Sequence, residues 1–337
     1  MKKNYSSGQL AKIEGLLMNR PSEKFELIYE IAQDPENTFS IKQLCELNHV
    51  SRSGYYSWIH SLEAKAAKEA QDRADFDLIL QAFLEHGRKK GARQIYMVLQ
   101  HMEPPVTFNL KKIRRLCRKY GLECPIRKAN PYRRMAKAMR TDSVSDNLVE
   151  CRFEEFGPRK ILLTDITYIP YDGKFAYLST IMDAFTKQIL AYEISDNLKV
   201  DFVLETIHKL FSNHGDELNT DTIIHSDQGC HYTSVQFREL VKNKKLRQSM
   251  SRKGNCWDNA PQESFFGHMK DEIREKLKEC SHYEEVKALL DEQIRYYNTE
   301  RYQWKLAKLS PNEYYQYVTT QEYPIQAQDG GKTSNGR

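Results

Sequence analysis

The sequence predicts two helical modules followed by an α/β domain that holds a five-stranded mixed sheet with flanking helices. Two observations lead to this fold class. Apolar residues recur at helical spacing through the first third of the chain, whereas runs typical of strands begin only near residue 150. An Asp172-Gly173 pair between two of those runs is typical of a tight β-hairpin.

Composition indicates a soluble, folded protein. The chain has 337 residues, of which 40% are hydrophobic and 29% are charged. It has no apolar run of about 18 residues, and no apolar segment follows Lys2 and Lys3, so we expect neither a membrane span nor a secretory signal. Seven scattered cysteines without a CxxC pair suit free thiols in a reducing cytoplasm. We therefore expect a cytoplasmic protein with no membrane partner.

The net charge of +5 hides a strongly basic segment. Residues 111–140 contain twelve Lys or Arg and one acid, Glu123. Such asymmetry points to a polyanion partner, and a solvated basic face is the alternative. The side chains that we expect to contact DNA in this segment are Lys111, Lys112, Arg114, Arg115, Arg118, Lys119, Arg133 and Arg134.

Residues 1–65 are predicted to be helical and to contain a helix-turn-helix. Ser40 followed by Gln43 is a capping-box start, and Ser51 can cap a second helix after a short turn. The second helix would enter a major groove, although an ordinary helical hairpin fits the same pattern equally well. The DNA contacts expected from it are Ser51, Arg52 and Tyr55.

Residues 70–124 are predicted to form a second helical, basic module for DNA binding. Its last helix, over 109–121, has apolar residues on one face and basic residues on the others, which suits contacts with phosphates. The stretch 125–148 lacks a clear period and is predicted to be a basic linker.

The α/β domain is predicted over 149–317, and 318–337 is expected to be a flexible tail. Three strands come first, then helix, strand, helix and strand, and a long helix starts near Trp257 or Asp258. This is the element order of a ribonuclease-H-like domain. The predicted strands cover 160–169, 175–182, 188–194, 222–225 and 246–251.

Three acidic residues stand where chemistry is expected. Asp165 lies inside an apolar strand, where a carboxylate is costly unless it is paired or binds metal. Asp227 follows a buried strand, at the end where α/β sheets build sites. Glu263 lies on the long helix, with Lys270 two turns later on nearly the same face. Taken singly, each acid is as often a structural carboxylate or a solvated pair.

The combination is more informative. Asp227 and Glu263 are separated by 35 residues, and with Asp165 they offer hard oxygen ligands for Mg²⁺ or Mn²⁺. Two such ions would activate the attacking oxygen and stabilise the leaving oxygen of an in-line displacement. Lys270 would then lie where it can hold a phosphate.

With these motifs the chain resembles the integrase-core transposases of the insertion-sequence-three family, which are related in fold to retroviral integrases. The Asp–35–Glu interval followed at seven by Lys is the signature of that family. The resemblance covers roughly 38–316. The residues that carry it are Thr164-Asp165-Ile-Thr-Tyr168, Met182-Asp-Ala-Phe-Thr186, His225-Ser-Asp-Gln-Gly229 with Tyr232 and Ser234, Ser251-Arg-Lys-Gly-Asn-Cys-Trp-Asp-Asn-Ala260, Glu263-Ser-Phe-Phe266, Lys270, Tyr297-Asn298, Arg301 and Leu309-Ser-Pro311 with Tyr314.

The resemblance implies that Asp165, Asp227 and Glu263 bind two Mg²⁺ ions, with Mn²⁺ as a substitute, and that Lys270 contacts DNA. It implies double-stranded DNA as the partner, both transposon ends and target, and a homodimer or larger assembly. Asp183 is expected to be a structural carboxylate rather than a metal ligand. The flanking residues expected to position DNA are Arg252, Lys253, Asn255, Trp257 and Asn259, with His225 and Gln228 beside the triad.

Two alternatives remain open from the sequence. One is a non-catalytic DNA-binding regulator that uses the helical modules alone, and the other is a structure-specific nuclease with the same ribonuclease-H fold. The chain is also expected to be either a whole enzyme or the downstream part of a longer one, because family members often begin with a further helix-turn-helix from an upstream reading frame.

Overall fold

A computed structural model describes residues 20–85, 90–123, 156–250 and 260–325. The chain divides into two compact units, Met1–Leu78 and Ile79–Arg337. No helix in the described ranges is long and apolar enough to cross a membrane. The predicted linker 125–148 and the tail beyond residue 325 lie outside the described residues.

Within the described part of the first unit, three short helices come first: α1 (Pro21–Gln33), α2 (Ile41–Leu47) and α3 (Arg52–His60). The turn between α2 and α3 contains His49 in the left-handed region, with φ 53°. The predicted helix-turn-helix is therefore present as a fold. The helices close around a small apolar core formed by Ile28, Leu44, Cys45 and Tyr55.

Side-chain caps fix the starts of α2 and α3. The Ser40 hydroxyl accepts from the Gln43 backbone N–H, and the Gln43 side chain accepts from the Ser40 backbone N–H, which completes the predicted capping box. The Ser51 hydroxyl accepts a 3.1 Å hydrogen bond from Gly54 N–H. The sequence therefore predicts both helix starts, because capping depends on residues that are three positions apart.

One continuous helix, α4 (Leu62–Leu84), crosses the predicted boundary between the helical modules. This stretch is rich in alanine and long polar residues and contains neither glycine nor proline, so intrinsic helix propensity carries the helix through it. Two further helices follow, α5 (Ala92–Gln100) and α6 (Leu110–Lys119).

The α/β domain has a five-stranded mixed sheet in the order β3-β2-β1-β4-β5, which confirms the predicted fold class. β2 is antiparallel to β1 and β3, whereas β4 is parallel to β1 and β5. The central strand is thus β1, which carries Asp165. The strands are β1 (Ile161–Tyr171), β2 (Lys174–Asp183), β3 (Ile189–Ser195), β4 (Ile223–Ser226) and β5 (Arg247–Met250).

The β1–β2 hairpin closes at the predicted Asp-Gly turn. Tyr171 pairs with Lys174, and Asp172 and Gly173 have φ 40° and 69°. Two consecutive positive φ values are the mark of the type I′ turn that matches the twist of antiparallel strands. The hairpin fixes the register that places Thr180 directly opposite Asp165.

Helices cover both faces of the sheet. One apolar core joins the sheet to α7 (Asp201–His214) and α9 (Val235–Asn243), and the short helix α8 (Cys230–Thr233) precedes α9. A second core joins the other face to α10 (Ala260–Glu279) and α11 (Tyr283–Thr299).

The last helix is α12 (Pro311–Thr320). It continues three residues into the predicted tail, so the expected domain end at 317 was too early. Ser310 caps its start, with the Ser310 backbone N–H donating to the Glu313 carboxylate at 2.8 Å.

Candidate active site and nucleic-acid interface

Asp165 lies in the middle of β1. Strand alternation places it on the same face as Thr167 and Ile169, and Ile169 belongs to the core shared with α10. Its Oδ1 accepts a 2.8 Å hydrogen bond from the backbone N–H of Ile166. The strand therefore directs the carboxylate towards the helix that carries Glu263.

Asp227 follows the last residue of β4 and is exposed. Its Oδ1 accepts a 2.8 Å hydrogen bond from the backbone N–H of Gly229. β4 runs parallel to β1, with His225 in register with Leu163, so Asp227 comes level with Asp165. The topology therefore brings together two acids that are 62 positions apart in the sequence.

Glu263 and Lys270 belong to the first three turns of α10. Glu263 is exposed and Lys270 is half-buried. Burial lowers the pKa of Lys270, and the nearby charge of Asp165 opposes that shift. The predicted common face of Glu263 and Lys270 is thus turned towards Asp165.

The charges of these groups lie close enough to influence Asp165. Burial raises the pKa of Asp165 to about 7, and the charges of Asp227 and Glu263 add to the increase. The hydrogen bond from Ile166 and the charge of Lys270 oppose it. A carboxylate with this combination of neighbours gains strongly from a bound cation.

The donor set fits a divalent metal, because carboxylate oxygens are the ligands that Mg²⁺ and Mn²⁺ prefer. Among the described residues, no three His, Cys, Asp or Glu side chains are arranged closely enough to hold an ion between them. The fit therefore rests on donor chemistry and mutual charge, and the three carboxylates do not form a preformed cage.

Asp183 has the structural role that the sequence favoured. It is fully buried at the end of β2, and its Oδ2 accepts from Arg159 through the backbone N–H at 3.1 Å and through Nη1 at 2.8 Å. Its Oδ1 accepts from Phe185 N–H at 2.9 Å. With this many donors around it, the carboxylate serves to close the sheet.

The second module presents a basic surface. In α6, Ile113 and Leu116 are buried, and the Lys112 ammonium lies 3.9 Å from the ring centre of Phe108. The buried pair fixes which way the helix faces, so the predicted DNA-contacting side chains lie together on its outer surface. The exposed members of this set are Lys111, Arg114, Arg115, Arg118 and Lys119.

One predicted DNA contact was wrong. Tyr55 is only 1% exposed and forms part of the core of the first unit, where its ring packs against Phe25 and Trp58. The neighbouring Tyr56 is exposed instead. The helix phase decides this, because Tyr55 continues the apolar face. Ser51 and Arg52 are exposed as expected.

Seven predicted DNA-binding residues cannot be placed. They belong to the segments 124–155 and 251–259, which lie outside the described residues. These residues are Arg133, Arg134, Arg252, Lys253, Asn255, Trp257 and Asn259.

Sequence reasoning missed a junction between α5 and the segment that follows α11. The rings of His101 and Tyr302 stack with centroids 3.5 Å apart, and Gln94 Nε2 donates to the Tyr302 carbonyl at 3.0 Å. Tyr96 packs against Trp304, and the Arg93 guanidinium lies over the same indole. The partners are about 200 residues apart, so no local pattern could have paired them.

Family comparisons agree with this architecture. Residues 156–256 and 263–318 match two models that are each described as an integrase core domain. Residues 70–130 match an HTH-like domain.

Relatives cover most of the chain. InsK, a protein of insertion sequence element IS150 in Escherichia coli (strain K12), is 30% identical over 278 residues, which cover 82% of this chain and 93% of InsK. The transposase InsF of insertion sequence IS3A from the same strain is 30% identical over 246 residues, covering 72% and 83%. The chain belongs to the insertion-sequence-three family of transposases. A 31 kDa protein of insertion element IS600 in Shigella sonnei is 27% identical over 274 residues, covering 80% and 96%.

Solved structures of viral integrases are similar to part of this transposase. The catalytic core domain of HTLV-2 integrase, in complex with magnesium, has a TM-score of 0.39 and 14% identity, covering 47% of this chain and 97% of that core. The catalytic core domain of BIV integrase has a TM-score of 0.38 and 16% identity, covering 49% and 99%.

Proposed function

We propose that this transposase cuts and joins DNA at the terminal inverted repeats of an insertion sequence, with Asp165, Asp227 and Glu263 as its metal ligands. The observation that carries the proposal is the topology of the domain: Asp165 in the middle of β1 comes level with Asp227 after the parallel strand β4, and α10, which carries Glu263, packs against β1. A cluster of acids on a DNA-binding protein repels its substrate unless cations neutralise it. Family membership supports strand transfer over both a non-catalytic regulator and a general nuclease.

The residues divide the work. When bound, two Mg²⁺ ions, or Mn²⁺ in their place, would activate the attacking oxygen and stabilise the leaving oxygen of the phosphodiester. Asp165 supplies a half-buried ligand on the central strand, whereas Asp227 and Glu263 are exposed on the side that DNA must approach. Lys270, on the helix of Glu263, would hold a phosphate beside the reacting one.

DNA binding would use both helical regions. The basic face of α6 would contact phosphates, and α3 of the first unit would enter a major groove. Because a single active site has to act on paired element ends, we infer a homodimer or larger assembly on DNA.

A cleavage and strand-transfer assay tests the proposal. The substrate is linear DNA that carries the element's ends, incubated with Mg²⁺, Mn²⁺ or a chelator. Asp165→Asn, Asp227→Asn and Glu263→Gln are each expected to lower the rate by at least about 1000-fold, because losing one ligand removes charge stabilisation from the transition state. DNA binding in a mobility-shift assay should persist.

Glu239→Gln provides the matched control. Glu239 is an exposed acid on α9, and its replacement should leave the rate unchanged. Strand transfer by Asp227→Asn at the wild-type rate would contradict the assignment of Asp227 as a metal ligand. Equal cleavage of branched DNA without element ends would instead favour a structure-specific nuclease.

A further inference from the structure

Gln262 is a buried polar residue immediately before Glu263. Its exposed fraction is 0%, and its Nε2 donates to the backbone carbonyl of Thr180 at 3.0 Å. The same nitrogen donates to the Thr180 hydroxyl oxygen. These two bonds fasten the first turn of α10 to the middle of β2.

The attachment point lies beside the proposed metal site. In the antiparallel ladder of β1 and β2, Thr180 stands directly opposite Asp165. Gln262 therefore connects the residue next to Glu263 with the residue across from Asp165. Two short links, one of backbone pairing and one of side-chain hydrogen bonds, determine how the strand and the helix present their carboxylates to each other.

Stability alone does not explain a glutamine at this position. Its Oε1 is buried and has no hydrogen-bond partner among the described residues. An unpaired buried acceptor is unfavourable, and this cost offsets part of what the two bonds to Thr180 contribute to stability. A glutamine is nevertheless useful here if its N–H donors are needed to orient α10.

We propose that Gln262 is a positioning residue that sets the placement of Glu263 relative to Asp165 through its bonds to Thr180. The proposal rests on the proposed function, since it assigns Gln262 a role only if Glu263 binds metal. Gln262 itself touches no reacting group. Its effect should appear as a weaker affinity for divalent metal and not as a loss of fold or of DNA binding.

The principal test is Gln262→Met in the full chain. Methionine keeps the length and burial of the side chain but can donate no hydrogen bond. Loss of a residue that orients a ligand typically weakens metal affinity about 10–100-fold. We therefore expect the Mn²⁺ concentration for half-maximal cleavage to rise at least about tenfold. The thermal midpoint of the metal-free protein should fall only modestly, because the buried Thr180 hydroxyl loses its donor while the apolar packing is kept.

Two measurements do not depend on activity. The rise in thermal midpoint on adding Mn²⁺ should be smaller in Gln262→Met than in the wild type. Amide hydrogen exchange in residues 260–266 of the metal-free protein should be faster, because the first turn of α10 loses its attachment to β2.

Two variants of Thr180 test the same contact through its acceptor. Thr180→Val removes the hydroxyl and keeps the shape, so it should raise the metal requirement by a smaller factor than Gln262→Met. Thr180→Ser keeps the hydroxyl and should behave as the wild type. This pair also tests the proposal if Gln262→Met fails to fold.

The outcomes separate the two proposals. A folded Gln262→Met protein with the wild-type Mn²⁺ requirement overturns the positioning role, even if its activity or thermal midpoint is lowered. Equal metal requirements of Thr180→Val and Thr180→Ser also overturn it. Glu263→Gln is measured in parallel, and if that variant keeps full activity, the proposed function fails instead.

Discussion

The carboxylate of Asp227 and the backbone of Gly229 are in contact. Gly229 N–H donates to Asp227 Oδ1 at 2.8 Å, and a Cβ added at Gly229 would lie 2.9 Å from that same oxygen. Gly229 has no positive φ, with φ −60° and ψ 151°. Glycine is therefore needed here because the carboxylate approaches closely, and not because the backbone is strained.

Gly229→Ala should accordingly damage the site and spare the fold. The methyl group must push the Asp227 carboxylate away from its present position, which we expect to reduce metal-dependent cleavage about 10–100-fold. The loss of folding free energy should stay below about 1 kcal/mol. Cleavage rate and thermal midpoint are the measurements. Gly215→Ala is the control, because its added Cβ would make an ordinary 3.6 Å contact with Phe211. Equal rates for both variants would refute the argument.

Metal binding should depend on pH through Asp165. Its pKa in the metal-free fold is about 7, above the ordinary 3.8, so a proton must leave before a cation can bind. The apparent affinity for Mn²⁺ should fall about tenfold per pH unit below about 7 and level off above it. Titration calorimetry between pH 5.5 and 8.5 checks this. An affinity that is flat down to pH 5 would contradict the raised pKa.

The same shift has a consequence for stability. A carboxyl whose pKa is raised on folding favours the folded state at low pH, and this contribution is lost as pH rises from about 4 to about 7. Asp165→Asn removes the unfavourable charge. At pH 8 without metal, it should raise the free energy of unfolding by on the order of 2 kcal/mol. The gain should shrink towards pH 5, and denaturant unfolding measures it.

Replacing Asp183 should destabilise the fold, whereas replacing Asp165 should stabilise it. The Arg159 guanidinium donates to Asp183 at 2.8 Å, to Glu217 at 2.7 Å and to Gln188 at 2.8 Å. Arg159→Met leaves the buried Asp183 carboxylate without its cation, which costs about 3–5 kcal/mol. Asp183→Asn should cost less, because Arg159 keeps its ion pair with Glu217. The thermal midpoint should fall, and the metal requirement of the remaining folded protein should not change. An altered metal requirement would give Asp183 a role in the site.

Local patterns explain what the sequence could predict about the fold. The capping box at Ser40, the type I′ turn at Asp172-Gly173 and the alternation around Asp165 each depend on residues within four positions of one another. Composition likewise favours helix throughout α4, although its first half lacks a strong apolar stripe.

Contacts between distant segments explain what could not be predicted. Spacing and residue type indicated a site at Asp165, Asp227 and Glu263, and the topology brings these residues within electrostatic range of each other. Nothing local to Gln262 pairs it with Thr180, which lies 82 positions earlier. The DNA contact predicted for Tyr55 is a different case, because its place on the apolar face of α3 buries it against Phe25 and Trp58.

The basic face of α6 leads to a salt prediction. Each lysine or arginine that meets a phosphate should contribute about 0.9 to the slope of log affinity against log salt concentration. The double variant Arg114→Ala/Arg118→Ala should therefore bind end DNA more weakly, with a slope reduced by about 2. Fluorescence anisotropy between 50 and 300 mM KCl measures it. Lys242→Ala/Lys245→Ala on the catalytic domain is the control. An equal reduction of the salt slope in this control would contradict a specific role of α6 in DNA binding.

The junction at His101 leads to the last prediction. Stacking on Tyr302, together with the Tyr96–Trp304 contact, holds α5 against the catalytic domain, and α5 packs beside the basic helix α6. His101→Ala/Trp304→Ala should lower the free energy of unfolding by about 2–4 kcal/mol, because two aromatic contacts and their buried area are lost.

This variant should lower strand transfer more than it lowers affinity for DNA. The basic side chains of α6 remain, so affinity for end DNA should change less than about threefold. Strand transfer should fall about 10-fold or more, because DNA held by α6 is no longer presented to Asp165 in a fixed position. Phe175→Ala removes an exposed aromatic of the β1–β2 hairpin and should alter neither quantity. If affinity and strand transfer decline by the same factor, the junction contributes to folding alone and does not couple the DNA-binding helix to the active site.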